Sequence, residues 1–151
     1  MLLTMALGPG RHNVIQIGDG HEMPQESLVG SDLSLIEAHR LTVALRKFAD
    51  DRNWGQFHSP KNLVMALTGE VGELTEIFQW MTEQQSWDAC KDPAVAPKVE
   101  QELADVLLYL IRLADTLGVD LNRVAVEKLK LNAKKYPVAL AFGSSKKYDQ
   151  L

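Results

Sequence analysis

The sequence predicts an all-α protein, a four-helix bundle-like protomer. In four segments, apolar residues recur at steps of three and four, which is the spacing of one face of an α-helix. Helix boundaries accompany these segments, because Ser59 and Pro60 stand where a helix would begin and Gly118 stands where one would end. We expect at most one short strand, in HNVIQIG near the N-terminus.

The first two helices are predicted from their start signals. The first lies within SDLSLIEAHRLTVALRKFADDRNW, where Ser31 or Asp32 can cap its start. The second begins at HSPKNL, with Ser59 as its cap and Pro60 in the first helical position, and runs to about Thr82. The segment QSWDACKDPAVAP follows and carries two prolines, so it is predicted to be a connecting loop.

The last two helices are predicted from their apolar content and their ends. The third, KVEQELADVLLYLIRLADTLG, is apolar on nearly all sides from Leu103 to Leu113, so we expect it in the middle of the fold. Asp120 is expected to cap the fourth, LNRVAVEKLKLNAKKY, which Pro137 stops. The tail VALAFGSSKKYDQL is expected to be irregular.

Composition limits the class of protein. With 151 residues, of which 46% are hydrophobic and 24% charged, the chain has the make-up of one soluble domain. Residues 1–30 hold five of the ten glycines and are predicted to be a flexible arm, so the domain is expected to span residues 31–151. The net charge of -4 argues against a nucleic acid polymer as partner.

The compartment is predicted from the single cysteine and from the apolar runs. Cys90 has no partner cysteine in the sequence, which excludes a disulfide framework and suits a reducing cytosol. The apolar opening MLLTMALGPG lacks the basic region of a signal peptide, and no run reaches the roughly 20 apolar residues of a membrane span. We therefore expect a cytoplasmic protein with no membrane partner.

Two pairs of acidic residues interrupt the apolar faces of the second and third helices. Glu70 falls within the apolar stripe of the second helix, and Glu73 follows three residues later, beside it. The third helix repeats the pattern with Glu102 and Asp105. Four carboxylates are therefore predicted to point inward from neighbouring helices.

A divalent cation is the simplest way to hold four inward carboxylates together. An unpaired buried carboxylate costs several kcal/mol, and the three basic residues of these helices, Lys61, Lys98 and Arg112, are not placed to neutralise all four acids. Mg²⁺ prefers oxygen ligands and keeps waters that can meet a phosphate. The alternatives are ordinary solvated acids and a di-iron centre, but a di-iron bundle requires Glu-x-x-His pairs, which the sequence lacks.

Two glycines lie inside the acidic segment of the second helix, although each costs roughly 1 kcal/mol relative to alanine. They are Gly69 and Gly72, on either side of Glu70. Close helix packing and room for a ligand explain them equally well.

The acidic segments resemble a known family. GEVGELTEIFQW followed by ELADVLLYLIRLA is similar to the MazG-type all-α nucleoside triphosphate pyrophosphohydrolases, whose signature is EExxE followed after a gap by ExxD. RNWGQFHSPKNLVMALTGEVGELTEIFQW and VDLNRVAVEKLKLNAKKYPV resemble the dCTP pyrophosphatase branch more closely. The resemblance covers about residues 35–148. Gly69 replaces the leading Glu of the signature, as it does in that branch, and Gln101 precedes Glu102.

The resemblance implies an activity and a set of site residues. The expected reaction is Mg²⁺-dependent hydrolysis of deoxynucleoside triphosphates, with a dCTP-like preference, to the monophosphate and pyrophosphate, which would cleanse the nucleotide pool. A broad-specificity MazG-like hydrolase and a non-catalytic oligomeric helical module remain alternatives. The implied metal-binding and catalytic residues are Glu70, Glu73, Glu102 and Asp105, and the implied substrate-binding residues are Trp54, His58, Trp80, Tyr109, Lys128, Asn132 and Tyr136.

The third helix also predicts self-association. Four helices in one chain cannot cover a helix that is apolar nearly all round, and a large exposed apolar patch usually marks an interface. We therefore expect a homodimer or homotetramer, whose nucleotide pocket is completed across the interface.

Overall fold

The all-α prediction is confirmed by the computed structural model, which describes residues 38–150. This range contains six α-helices, short 3₁₀ turns and no strand. The predicted arm, the strand-like HNVIQIG and the start of the first helix at Ser31 or Asp32 lie outside the described residues. The helices are α1 (Ala38–Asp50), α2 (Pro60–Phe78), α3 (Glu83–Asp88), α4 (Ala96–Leu117), α5 (Leu121–Lys135) and α6 (Val138–Ala141).

The described residues fall into two compact units, and the first, residues 38–122, contains α1 to α4. Within it α2 packs along α4, and α1 packs against α4. The start of α2 lies beside the late part of α4, because His58 contacts Arg112, so α2 and α4 run antiparallel. Leu63 of α2 and Ile111 of α4 are the largest fully buried side chains at that end of the pair. Burial of a side chain of this size contributes about 1.5–3 kcal/mol to folding.

The predicted start of α2 is confirmed and its predicted end is wrong. Ser59 Oγ accepts a hydrogen bond from the Asn62 N–H at 3.3 Å, and Pro60 occupies the first turn. The helix ends at Phe78 instead of about Thr82, because Thr82 caps the next helix. Thr82 Oγ1 accepts from the Gln85 N–H, while Gln85 Oε1 accepts from the Thr82 N–H at 2.8 Å.

This reciprocal pair is a capping box, and it corrects the prediction of a loop over QSWDACKDPAVAP. The segment contains the end of α3 and a 3₁₀ turn, Ala89–Lys91, whose Ala89 is buried. The helix α4 starts at Ala96, two residues earlier than predicted, with Pro97 in its first turn.

The predicted end of α4 at Gly118 is confirmed, and the helix is buried on part of its surface only. Gly118 adopts φ 66°, and the N–H groups of Gly118 and Val119 donate to carbonyls of the last turn. Val99, Ile111 and Ala114 are buried. One face of α4 is left uncovered by the described residues, because three of its leucines stay 41–52% exposed, in agreement with the expectation that four helices in one chain cannot cover this helix. They are Leu103, Leu107 and Leu110.

The second unit includes residues 123–150, with most of α5 and all of α6. As predicted, α5 ends before Pro137. The tail is more regular than expected, because α6 and a 3₁₀ turn at Tyr148–Gln150 lie within it. The Tyr136 and Tyr148 rings meet edge to face with centroids 6.1 Å apart. No helix within residues 38–150 combines the length and apolar character that a bilayer span requires.

Two glycine substitutions are expected to change stability in opposite directions. Gly118→Ala should lower the free energy of unfolding by about 1 kcal/mol, because an L-residue is strained at φ 66°. Gly72→Ala should raise it by up to about 1 kcal/mol, because this glycine lies inside α2 and a Cβ there would meet no described atom within 4 Å. Urea unfolding monitored by circular dichroism measures both values. Equal effects of the two substitutions would contradict the assigned backbone conformations.

Candidate metal centre and its surroundings

The helices α2 and α4 bring three predicted metal ligands together. Glu70, Glu102 and Asp105 each offer one carboxylate oxygen, and these oxygens lie within 4.8 Å of one another. All three residues are half-buried. The antiparallel packing of the two helices produces this arrangement, because Glu70 in the middle of α2 comes level with the first half of α4. We refer to these three residues as the acidic cluster.

The acidic cluster has no cation of its own among residues 38–150. Glu102 Oε2 is buried and accepts no hydrogen bond from any described residue. Burial, followed by the charges of Glu73 and Asp105, raises the pKa of Glu102. Burial and the three neighbouring carboxylates likewise raise the pKa of Glu70. An orphaned buried oxygen among mutually repelling carboxylates fits a bound divalent cation, which would satisfy that oxygen and offset the repulsion.

Glu73 lies outside this trio. Its side chain is exposed, although its charge is close enough to raise the pKa of both Glu70 and Glu102. It therefore adds negative charge at the open side of the cluster.

The two glycines beside Glu70 are not tightly packed against described residues. Apart from its own neighbours and the backbone of α2, a Cβ built at Gly69 or at Gly72 would meet no described atom within 4 Å. Of the two explanations that the sequence allowed, close helix packing is therefore not supported among residues 38–150. The described residues leave space beside Gly69 and Gly72 for a ligand or for a second copy of the chain.

His58 belongs to a polar network that the sequence analysis did not identify. Arg112 Nε donates to His58 Nδ1 at 3.2 Å, and Arg112 Nη1 donates to Asp115 Oδ2 at 3.0 Å. Arg46 of α1 also donates to Asp115, through Nε and Nη2. These bonds, chiefly those from Arg46, hold the pKa of Asp115 below its ordinary value. The i, i+3 pair of Arg112 and Asp115 within an apolar helix was the available signal.

Trp54 lies beside His58 in the 3₁₀ turn Trp54–Phe57 that precedes α2. Its ring meets the His58 ring edge to face with centroids 6.4 Å apart, and the Phe48 ring of α1 in the same way at 5.8 Å. Arg52 stacks over Phe48 with its guanidinium carbon 3.6 Å from the ring centroid. The indole is held on two sides and is still 43% exposed. It is therefore accessible to a flat ligand.

Trp80 lies at the other end of α2 from Trp54. It follows the last residue of α2 by two positions and is 87% exposed. The 19 residues of α2 extend about 28 Å at 1.5 Å per residue. The two indoles therefore cannot stack on the same base within one chain. Trp80 lines an open cavity of about 370 Å³ together with polar side chains of α3, including Gln84 and Asp88.

The remaining predicted substrate residues are placed as follows. Tyr109 is half-buried on α4, one turn after Asp105. Lys128 and Asn132 lie on one face of α5, and Tyr136 follows the end of that helix. These three residues belong to the second unit, and their role in substrate binding stays a prediction.

Removing one charge from the acidic cluster should stabilise the metal-free protein. In the fold the pKa of Glu102 is raised above its ordinary value of 4.5, so the stability that its carboxyl group contributes is fully present below that value. This stability is lost as the pH rises through the raised pKa, because the buried group must then ionise. Glu102→Gln keeps the volume and removes the charge, and its amide can donate to the neighbouring carboxylates. We expect a higher Tm than wild type at pH 7 in EDTA and a smaller difference near pH 4.

Glu100→Gln is the matched control, because Glu100 lies two residues away on the exposed side of α4. Its Tm should stay close to that of wild type at both pH values. A Glu102→Gln protein that is less stable than wild type in EDTA at pH 7 would contradict the repulsion in the acidic cluster.

Comparison with known proteins supports the predicted family. A profile of the MazG-like family matches residues 66–151. The dCTP pyrophosphatase 1 of Homo sapiens is 45% identical over 105 residues, which cover 70% of this chain and 62% of that protein. Its counterpart in Bos taurus is 43% identical over 121 residues, covering 80% of this chain and 70% of that protein. The chain thus spans less than two thirds of the length of the rat and human relatives.

A solved structure agrees with the sequence comparison. A pyrophosphatase from Archaeoglobus fulgidus superposes with a TM-score of 0.62 and 36% sequence identity, covering 68% of this chain and 94% of the archaeal one. The family profile spans both Glu70 and the Glu102–Asp105 pair, so the acidic cluster lies within the matched region. This chain belongs to the MazG-like family.

Proposed function

We propose that this protein hydrolyses deoxynucleoside triphosphates, with a preference for dCTP, to the monophosphate and pyrophosphate. The observation that carries the proposal is the half-buried acidic cluster contributed by two facing helices. The relatives named dCTP pyrophosphatase 1 supply the expected substrate and reaction. Removal of surplus dCTP or altered cytosine triphosphates from the nucleotide pool is the biological role that follows.

Glu70, Glu102 and Asp105 would hold Mg²⁺, and Glu73 at the open side of the cluster completes the acidic set. A bound Mg²⁺ would supply the positive charge that neutralises phosphate oxygens and orients a water molecule. The carboxylates of this chain would hold that cation, and one of them would accept the proton of the attacking water. The water adds across the bond between the α and β phosphates, and pyrophosphate leaves.

A nucleobase needs an apolar surface for stacking and polar groups at its ring edge. Trp54 offers a partly exposed indole, and His58 beside it offers an imidazole. Trp80 offers a second, more exposed indole. We infer that the base is stacked by these aromatic residues, while the phosphates reach the acidic cluster between the two ends of α2.

A second copy of the chain is required for both indoles to contact one base. Because Trp54 and Trp80 lie beyond opposite ends of α2, which is about 28 Å long, a two-fold axis across the helix would bring one end of α2 beside the opposite end of its copy. The exposed stripe of Leu103, Leu107 and Leu110 on α4 offers an apolar surface that such pairing would cover. We propose a homodimer, or a tetramer built from such dimers, as the active form.

The proposed activity can be tested by product analysis. Wild type should convert dCTP to dCMP and pyrophosphate in millimolar Mg²⁺ and lose the activity in EDTA. Glu70→Gln should lower kcat about 100-fold or more, the scale of loss when one preorganised charge-stabilising group is removed. Glu76→Gln, an exposed acid of the same helix, is the matched control and should retain activity.

Each alternative has its own outcome in that assay. Similar kcat/KM values over the four dNTPs and four NTPs would establish a broad hydrolase. Nucleotide binding without turnover would establish a non-catalytic module. A Glu70→Gln protein with more than half of wild-type activity would refute the metal assignment.

The shared base pocket can be tested by mixing two defective proteins. Trp54→Ala and Trp80→Ala should each raise KM for dCTP, because each removes one of the stacking surfaces. After subunit exchange between them, about a quarter of the sites in a dimer population should contain both indoles and regain the wild-type KM. Exchange is verified by mass spectrometry of the intact assemblies. No recovery after complete exchange, or a fully active monomer, would place each pocket within one chain.

A further inference from the structure

The network that joins α1, α4 and the turn before α2 ends at His58. From Arg46 the bonds run to Asp115, from Asp115 to Arg112, and from Arg112 to His58. The side chains in the middle are shielded, with Arg112 15% and Asp115 8% exposed. Charge-assisted hydrogen bonds in such shielded places are stronger than exposed ones, so this network fixes the geometry of its members.

The network also fixes where the imidazole of His58 carries its proton. A guanidinium group can only donate hydrogen bonds, so Nδ1 of His58 must be the acceptor of the bond from Arg112. A neutral imidazole with an accepting Nδ1 carries its proton on Nε2. Burial and the positive charge of Arg112 lower the pKa of His58, which keeps the ring neutral. Within residues 38–150, Nε2 makes no hydrogen bond, so its N–H is available to a ligand.

Because Arg112 contacts His58, its position on α4 indicates where His58 lies relative to the acidic cluster. Arg112 follows Asp105 by seven residues, which is almost two full turns, so both side chains leave the same face of the helix. The rise over seven residues is about 10 Å. Tyr109 stands on the same face between them. A nucleotide with its phosphates at the acidic cluster can therefore extend along this face until its base reaches His58 and Trp54.

We propose that Arg112, anchored by Asp115, is a positioning residue that presents the Nε2–H of His58 to an acceptor on the ring edge of a pyrimidine base. The acceptor would be O2 or N3 of cytosine, while Trp54 contacts the face of the ring. This assignment rests on the proposed function, because it presumes that the bound ligand is a nucleotide. It adds a role for Arg112 and Asp115 in recognition of the base, apart from the acidic cluster, which would hold the cation that neutralises the phosphates.

Two substitutions of His58 test the roles of its two nitrogen atoms one at a time. His58→Asn places an amide oxygen near the position of Nδ1, so it keeps an acceptor for Arg112 and loses the donor. His58→Gln places an amide nitrogen near the position of Nε2, so it keeps a donor and loses the bond to Arg112. With dCTP as substrate, His58→Asn should raise KM about fivefold to tenfold, the loss expected for one neutral hydrogen bond. His58→Gln should raise it less, and kcat should stay unchanged in both.

Arg112→Lys tests the positioning role itself. Lysine keeps the positive charge and an ion pair with Asp115, but it has no planar fork with which to hold His58 at the same time. We expect a higher KM with unchanged kcat. The double variant Arg112→Lys with His58→Asn should have the KM of His58→Asn alone, because Arg112 acts through His58. Lys47→Gln, which removes an exposed ion pair of α1, is the control for a purely structural loss and should leave KM unchanged.

Some outcomes would overturn the inference. An unchanged KM for dCTP in both His58→Asn and Arg112→Lys would overturn it. Increases in KM that multiply in the double variant would overturn it as well. Losses of kcat in parallel with losses of Tm would show that the network only supports the fold.

A binding measurement separates this inference from the proposed function. The probe is the α,β-imido analogue of dCTP, which cannot be cleaved between the α and β phosphates, titrated calorimetrically in Mg²⁺. If wild type binds the probe without releasing pyrophosphate from dCTP, the proposed function fails, and the same pattern of changes in Kd still supports the role of Arg112. If wild type turns over dCTP and the variants bind the probe equally well, only the inference on Arg112 fails. If wild type neither binds the probe nor turns over dCTP, both fail.

Discussion

The packing of α2 against α4 is the constraint on which the rest of the site depends. The two helices run antiparallel, so residues in the middle of one meet residues in the first half of the other, and Glu70 comes level with Glu102 and Asp105. These carboxylates repel one another. Apolar burial holds the helices together on both sides of them, through Leu63 and Ile111 towards one end and Val99 towards the other. The fold therefore offsets the cost of a charged centre with packing at its flanks.

The same packing gives the helix pair two unlike ends. At the start of α2, the imidazole of His58 and the indole of Trp54 are held by contacts with α4 and α1. Beyond its end, Trp80 is 87% exposed next to an open polar cavity. Each end of the helix pair has an aromatic side chain on which a base could stack, and the carboxylates lie between the two ends. The helix pair of one chain thus contains one candidate metal centre and two separate aromatic positions, so a site that uses both aromatic positions would require a second copy of the chain.

The sequence predicted the features that are local. The Ser59–Pro60 start of α2 and the Gly118 end of α4 follow from spacings of a few residues, and the structure contains both. The acidic i, i+3 spacing also indicated the cluster, of which Glu70, Glu102 and Asp105 come together while Glu73 stays exposed. The helix α3 was missed although its capping box, Thr82 to Gln85, was visible, because two prolines dominated the interpretation of that segment. The network of Arg46, Asp115, Arg112 and His58 joins residues 54 and 69 positions apart, and local spacing carries no information on such pairs.

Among residues 38–150, the distribution of basic side chains explains why the acidic cluster has no ion-pair partner. Of the two basic residues of α4, Lys98 is exposed and forms no ion pair with the acidic cluster, and the guanidinium of Arg112 is committed to Asp115 and His58, about 10 Å along the helix from Asp105. Arg46 is committed to Asp115 as well. No ion pair within residues 38–150 reaches Glu70, Glu102 or Asp105. Arg46 and Arg112 thus fix one aromatic end of the helix pair, and the central carboxylates remain a set of oxygen ligands that could hold a divalent cation.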